Sequence, residues 1–300
     1  GKNLTGPCPL CGVAEFGISL EDGHRFGCYR KVKCGFAGNI FTLLKFLGKY
    51  DFIIAERASN LIGKIENKST ELLTLDVTTQ NVSKPLGWKR IYESTYLDSR
   101  GFSKDDYLKY EVGSTILDPR LRNNYVIFIV SEESNVKGWV ARYNKTKEEI
   151  DALNKKYKQC GLNKTVKRYL NSYSDFSKLV YGVDEIEMGS TETIIVVEGI
   201  LDKINIDRQL QLHNQSYVKC NATFKCNVSD EQIVKWQTRG IKNLILMYDP
   251  DVTSQVKVNV KYLQKYFSVL IGYSASGKDP GEKKKKDVEH IIENLEDPMQ

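Results

Sequence analysis

Thr193-Ile-Ile-Val-Val197 is an unbroken β-branched run that ends on Glu198-Gly199-Ile-Leu-Asp202. β-Branched side chains favour strands, and an apolar run without polar alternation predicts a strand buried on both faces. Two similar runs follow, Asn243-Leu-Ile-Leu-Met-Tyr248 and Phe267-Ser-Val-Leu-Ile-Gly-Tyr273. Helical patterns over 200–211, 230–238 and 256–266 separate or follow them. Such alternation predicts α/β architecture, with a parallel sheet covered by helices on both faces.

In open parallel sheets, functional groups collect at the carboxyl ends of the strands. All three runs deliver acids there: Glu198, then Asp249 and Asp251 in Tyr248-Asp-Pro-Asp251, then Asp279 in Gly277-Lys-Asp-Pro-Gly-Glu282. Carboxylates gathered from separate places repel one another unless cations hold them. With no His or Cys close by, hard oxygen ligands favour Mg²⁺ or Mn²⁺, and a metal pair of that kind serves phosphoryl transfer. On this reading Asp249 and Asp251 are the main ligands and Asp279 a further one. Glu198 is a ligand or a general base near the reacting oxygen. Asp202, one helical turn past Glu198, either supports the site or complements the helix dipole.

Upstream, strands are expected at 125–130 and 138–142, and a helix near 91–98. Residues 51–84 combine a short helix at 52–62 with the polar run Glu66-Asn-Lys-Ser-Thr70, which has linker composition. At the other end, Lys283–Lys286 precede an acidic helix over 287–295, and 286–300 is expected to be a tail.

Four of the seven cysteines crowd the first 34 residues. Cys8-x2-Cys11 and Cys28-x5-Cys34 supply four thiolates, which meets the tetrahedral demand of one structural Zn²⁺. Gly12 and Gly35 would ease the tight turns beside the metal, and the segment between the pairs is expected to be a hairpin. With four thiolates available, His24 is expected to be solvated rather than a ligand. Cys160, Cys220 and Cys226 lack such spacing and are expected to be buried or incidental thiols.

The 300 residues, 41% hydrophobic and 27% charged, belong to a globular chain of more than one core. No stretch approaches the roughly 18 apolar residues of a membrane span, and no signal peptide opens the chain. A cytoplasmic location is expected. Gly1 in place of Met suggests a processed tag or an excised fragment. The net charge of +6 permits a polyanionic partner.

Glu-Gly-x-x-Asp, Asp-x-Asp and Lys-Asp-Pro after successive strands resemble the TOPRIM domain of bacterial-type primases, topoisomerases and some nucleases. The cysteines followed by Gly35-Phe-Ala-Gly-Asn-Ile-Phe resemble the primase zinc domain. Tyr96-Leu-Asp-Ser-Arg-Gly-Phe-Ser103 and Lys167-Arg-Tyr-Leu-Asn-Ser172, with Leu179-Val-Tyr-Gly182, resemble the first half of the primase polymerase core. Two departures stand out. The family commonly has a His among its zinc ligands, and its last motif often reads Asp-Pro-Asp where this chain has Asp279-Pro-Gly281.

The resemblance implies a bacterial- or phage-type DNA primase made of several parts. These are a zinc-ribbon DNA-binding domain over 1–50, a linker over 51–84, a basic α+β subdomain over 85–190, and a TOPRIM catalytic subdomain over 191–285. It implies Mg²⁺- or Mn²⁺-dependent synthesis of an RNA primer from ribonucleoside triphosphates on single-stranded DNA, beside a replicative helicase on a separate chain or further part. Arg142 and Arg168 would be groove cations. Beside Asp279, Lys278 is expected either to contact a phosphate or only to neutralise the acidic cluster. Arg25, Arg30, Lys31 and Lys33 would face the template. A TOPRIM nuclease or topoisomerase fragment, and a non-enzymatic zinc-ribbon adaptor, are the alternatives.

Overall fold

The computed structural model describes residues 3–20, 25–29, 34–62, 71–75, 79–248, 253–273 and 279–298. Strands β1 (Asn3–Gly6), β2 (Phe16–Ser19), β3 (Arg25–Cys28) and β4 (Ala37–Asn39) form an antiparallel sheet in chain order. Its small core joins Phe16, Phe26 and Leu43 to Cys8 and Cys28. The Asn39 side chain accepts the Thr42 amide at 3.0 Å and so caps α1 (Ile40–Phe46).

Helix α1 faces two ways. Leu43 enters the small core, while Phe41 and Leu44 pack on the main one. Helix α2 (Tyr50–Ile62) follows, with Ile53 and Ile54 buried in the main core. Each such side chain contributes roughly 1.5–3 kcal/mol of burial. The expected linker therefore opens on a helix that belongs to the core.

Next come β5 (Lys89–Arg90), α3 (Thr95–Ser99), α4 (Lys104–Lys109), β6 (Gly113–Ser114), β7 (Tyr125–Glu132), β8 (Asn135–Tyr143), α5 (Lys147–Gln159) and β9 (Tyr169–Asn171). The helix expected near 91–98 starts at Thr95, because Ser94 caps it and the residues just before extend from β5. The five strands pair antiparallel in chain order. On β7, Val126, Phe128 and Val130 enter the main core, while Tyr125, Ile127 and Ile129 meet Trp139 and Ala141 on the other face. Burial on both faces explains why β7 reads as a continuous apolar run.

The last part comprises β10 (Thr193–Val197), α6 (Ile200–Leu210), β11 (Val218–Ala222), α7 (Asp230–Thr238), β12 (Asn243–Leu246), α8 (Thr253–Leu263), β13 (Ser268–Ile271) and α9 (Lys285–Glu293). All four strands are parallel, in the order β11-β10-β12-β13. Alternation along β10 divides the layers: Ile195 and Val197 face α6 and α9, whereas Ile194 and Val196 face α7 and α8. The chain leaves β10 for β11 on one side and returns across it to β12 on the other. The order reverses between β10 and β12, where open sheets of this kind form a crevice.

Two features differ from expectation. Strand β11 was not foreseen, since Lys219 and Asn221 interrupt its apolar pattern. Both are buried and satisfied, Lys219 by Glu187 at 3.0 Å and Asn221 by the Gly182 carbonyl at 2.9 Å. The stretch 286–300, expected as a tail, carries Val288, Ile291, Ile292 and Leu295 into the main core. Lys283, which opens the basic run before that stretch, is buried.

Candidate functional site

The Sγ atoms of Cys8, Cys11, Cys28 and Cys34 all lie within 4.8 Å of one another. Cys8–Cys34 measures 3.8 Å and Cys11–Cys28 3.9 Å. Four thiolates bound to zinc at about 2.3 Å would stand about 3.8 Å apart, so the cluster has the dimensions of a tetrahedral Zn²⁺ cage. Gly12 and Gly35 have φ of +73° and +66°, the left-handed turns that glycine enters without strain. The two cysteine pairs meet through the β2–β3 hairpin, where Phe16 pairs with Cys28. Arg25 is exposed at the start of β3. His24, Arg30, Lys31 and Lys33 lie outside the described residues.

At the carboxyl end of the parallel sheet, Glu198 and Asp279 line one cavity of about 460 Å³, together with Asp202, Arg168 and Tyr169. Among the described residues no imidazole or thiol lines it. The donor set suits a hard divalent ion rather than zinc. Among the described residues the acids do not close a cage by themselves, because only the cysteines gather as tightly as a bound ion requires. Asp249, Asp251 and Lys278 lie outside the described residues. The described chain does bring Tyr248 to the rim beside Val197, since Val196 pairs with Leu246 and its carbonyl accepts the Met247 amide at 2.9 Å.

Asp202 holds this rim together. Its Oδ2 accepts the Gly199 amide at 3.0 Å, and the carboxylate also accepts from Gly281. Arg100 donates to the Gly281 carbonyl and pairs with Glu282 at 3.7 Å. Asn205 donates to the carbonyls of Pro280 at 2.8 Å and Lys283 at 2.9 Å. The loop that bears Asp279 is therefore clamped onto α6. Burial lifts the Asp202 carboxyl to about 6; the Gly199 and Gly281 amides oppose that rise, Asp279 adds to it and Arg100 counters it.

A second cavity of about 460 Å³ continues from the first and shares Arg168, Tyr169, Asp202 and Asp279. Arg142 lies on its wall, 2% exposed. Its guanidinium carbon stands 4.2 Å from the Tyr96 ring centre and 5.4 Å from that of Tyr169. One nitrogen donates to the Tyr143 carbonyl, and Nε has no hydrogen-bond partner among the described residues. A buried cation with a free donor beside a cavity is suited to an anion. Arg168 is exposed at the shared rim. Thr146, Lys147 and Arg100 also line this cavity, as do the acids Glu148 and Glu282.

Sequence reasoning did not single out Arg100 or Asn205 as site residues. Arg100 was visible within the Arg-Gly-Phe-Ser stretch, but its partner Gly281 is 181 positions away. Asn205 carries no local signal, because it acts on the Asp279 loop through backbone carbonyls alone.

No protein-family model matches the chain, and no curated protein does. Solved structures similar to it include two of the RNA polymerase domain of Mycobacterium tuberculosis primase DnaG, one of them in complex with a double-stranded DNA oligomer with a 6-nucleotide overhang. Both are 12% identical over 67% of this chain, with TM-scores of 0.43 and 0.44. The chain spans 66% and 63% of their lengths. A third comes from bacteriophage T7 lagging-strand DNA polymerase interacting with primase domains of two gp4 subunits bound to an RNA/DNA hybrid and dTTP. It is 14% identical, covers 67% of this chain and 92% of that one, and has a TM-score of 0.46.

Proposed function

We propose that this chain is a DNA primase that makes short RNA primers on single-stranded DNA by divalent-metal-dependent nucleotidyl transfer. One observation carries the reading: Glu198 and Asp279 share a cleft at the reversal point of a parallel sheet, and the buried Arg142 stands in the adjoining cavity. Acids and cations lining one continuous cleft suit a metal-bound triphosphate.

In this reading the primer 3′-hydroxyl oxygen bonds to the α-phosphorus of a ribonucleoside triphosphate. The bond from that phosphorus to the β-phosphate oxygen breaks, and pyrophosphate leaves. Glu198 takes the hydroxyl proton or orients the hydroxyl. Arg142 and Arg168 hold phosphate oxygens in the same cleft. Glu198, Asp249, Asp251 and Asp279 would hold Mg²⁺ or Mn²⁺, which when bound neutralises charge developing on the phosphoryl oxygens. Lys278, beside Asp279, adds a phosphate contact.

The four cysteines would hold one structural Zn²⁺ as a zinc ribbon over 1–50, with Arg25, Arg30, Lys31 and Lys33 facing template. Residues 85–190 form the basic subdomain of the polymerase core, and 191–285 its TOPRIM-type catalytic subdomain. A replicative helicase, on another chain or a further part, completes the assignment. Among the described residues no helix is long and apolar enough to cross a membrane.

Incubation with single-stranded DNA, Mg²⁺ and labelled ribonucleotides tests the proposal. Short RNA supports it. Cut DNA in place of RNA would make the chain a nuclease, and neither product would leave a binding module.

A further inference from the structure

Strands β8 and β9 are antiparallel neighbours, with Arg142 opposite Tyr169, yet residues 144–168 separate them. A hairpin of this kind ordinarily closes in two to about five residues. The extra length folds into α5 and a return segment that starts and ends on the cleft. Thr146 and Lys147 line the cavity at one end of the excursion, and Arg168 lines it at the other.

The excursion is ordered rather than slack. Thr146 and Glu149 form a reciprocal capping box at its start. At its far end Gly161, with φ of +70°, turns the chain, and the Leu162 amide donates to the Tyr157 carbonyl at 2.9 Å. Asn154 then ties the return segment to the helix, accepting the Val166 amide at 2.7 Å and donating to the Val166 carbonyl at 3.0 Å.

Its charge is concentrated. Lys145 through Arg168 hold eight Lys and Arg against three Asp and Glu, a local +5 in a chain of net +6. The acids Glu148, Glu149 and Asp151 fall in the first turns, whereas Lys155, Lys156 and Lys158 fall in the last. Those three lysines are exposed and make no ion pair among the described residues. They lie roughly 12–16 Å along the axis from Lys147. That is about four or five nucleotide steps at a stacked spacing of about 3.4 Å.

We propose that α5 is an arm that grips the nucleic-acid backbone after it leaves the cleft, through Lys155, Lys156 and Lys158. A cationic last turn on a helix that starts at the cleft fits a continuing phosphodiester chain. The template strand and the primer–template hybrid carry the same phosphodiester chemistry. The arm rests on the proposed function only for the identity of this polyanion.

The test replaces all three lysines by Gln, which keeps helix propensity, and measures affinity by fluorescence anisotropy across a salt series. The probes are single-stranded DNA and an RNA–DNA hybrid, each in a long form of about 20 nucleotides and a short form of about four that stays within the cleft. For the long single strand, affinity should fall about 100-fold at 0.1 M salt and the slope of log affinity against log salt should drop by about 2. For the hybrid the drop is closer to about 3. The short probes should bind as to wild type. A loss on one long probe alone identifies the strand the arm grips. Unchanged affinity and slope for both long probes, or equal losses on short and long, would overturn the arm. So would weaker binding of polyglutamate with none lost toward nucleic acid, which would make the partner an acidic polypeptide. Synthesis by the wild-type chain separates the two proposals: RNA made with no arm effect sinks the arm alone, and an arm effect without RNA sinks the primase reading alone.

Discussion

Gly281 packs so tightly against Asp202 that a Cβ built on the glycine would overlap the carboxylate oxygen Oδ1. The other glycine beside this acid is just as confined, since a Cβ on Gly199 would stand 2.6 Å from Oδ2. The departure from Asp-Pro-Asp in the last motif thus has a physical reason: any side chain at 281 would displace the clamp that holds the Asp279 loop.

Gly281→Ala should cost about 1–3 kcal/mol through overpacking. Because the displaced loop carries Asp279, metal-dependent synthesis should fall on the order of 10²-fold, as an ångström of misplacement typically costs. Gly281→Asp, which restores the commoner motif, should be no better. Thermal unfolding and primer synthesis measured together check this, and full activity in either variant would show that the clamp does not position Asp279.

Asp202 should leave a signature in stability against pH. Its folded value of about 6 lies above the ordinary 3.8, so the folded state binds the proton more tightly. The stabilisation is then complete below about pH 4 and is lost as pH rises through 6. Relative to Asp202→Asn, the melting temperature of the metal-free wild type should decline between pH 4 and 7. Parallel curves would contradict the assignment.

Lys203 is fully buried, with Nζ 2.5 Å from Asp207 Oδ2 and 2.5 and 2.7 Å from the Glu185 carboxylate oxygens. Burial opposes its charge, but Asp207 and Glu185 outweigh that and hold its pKa above the ordinary value. Lys203→Met strands Asp207 in the core and should cost about 3–5 kcal/mol. Adding Asp207→Leu should recover most of that loss in urea unfolding. If the double variant is as weak as the single one, the ion pair is not the source of the cost.

The metal content should be one Zn²⁺ per chain, and Cys34→Ser should release it. Hydrogen exchange should then show lost protection in the β2–β3 ladder, while the Val196 and Leu246 amides stay protected. Helix α1 belongs to both cores, so its protection should fall only in part. Retained zinc would contradict the ligand set.

Much of the parallel sheet could be read locally, because β10, β12 and β13 are apolar runs that need no partner to declare themselves. Strand β11 could not, since Lys219 and Asn221 acquire their partners only after folding. Helix α5 did carry a local signal, Thr146-Lys-Glu-Glu149, yet its apolar stripe of Ile150, Leu153 and Tyr157 is too thin to stand out. The acids after β10 and β13 were legible as chemistry. The clamp of Arg100, Asp202 and Asn205 on the Asp279 loop was not, because its contacts run through backbone groups distant in sequence.

The central claim is that the acids of this cleft perform nucleotidyl transfer, and Glu198→Gln tests it most directly. The substitution keeps the shape of the side chain and removes its charge. Primer synthesis on single-stranded DNA with Mg²⁺ should fall on the order of 10²–10⁴-fold. Affinity for the same DNA should hardly change, because the cations that bind the backbone are untouched. Synthesis at the wild-type rate, or DNA affinity that collapses together with synthesis, would contradict the account.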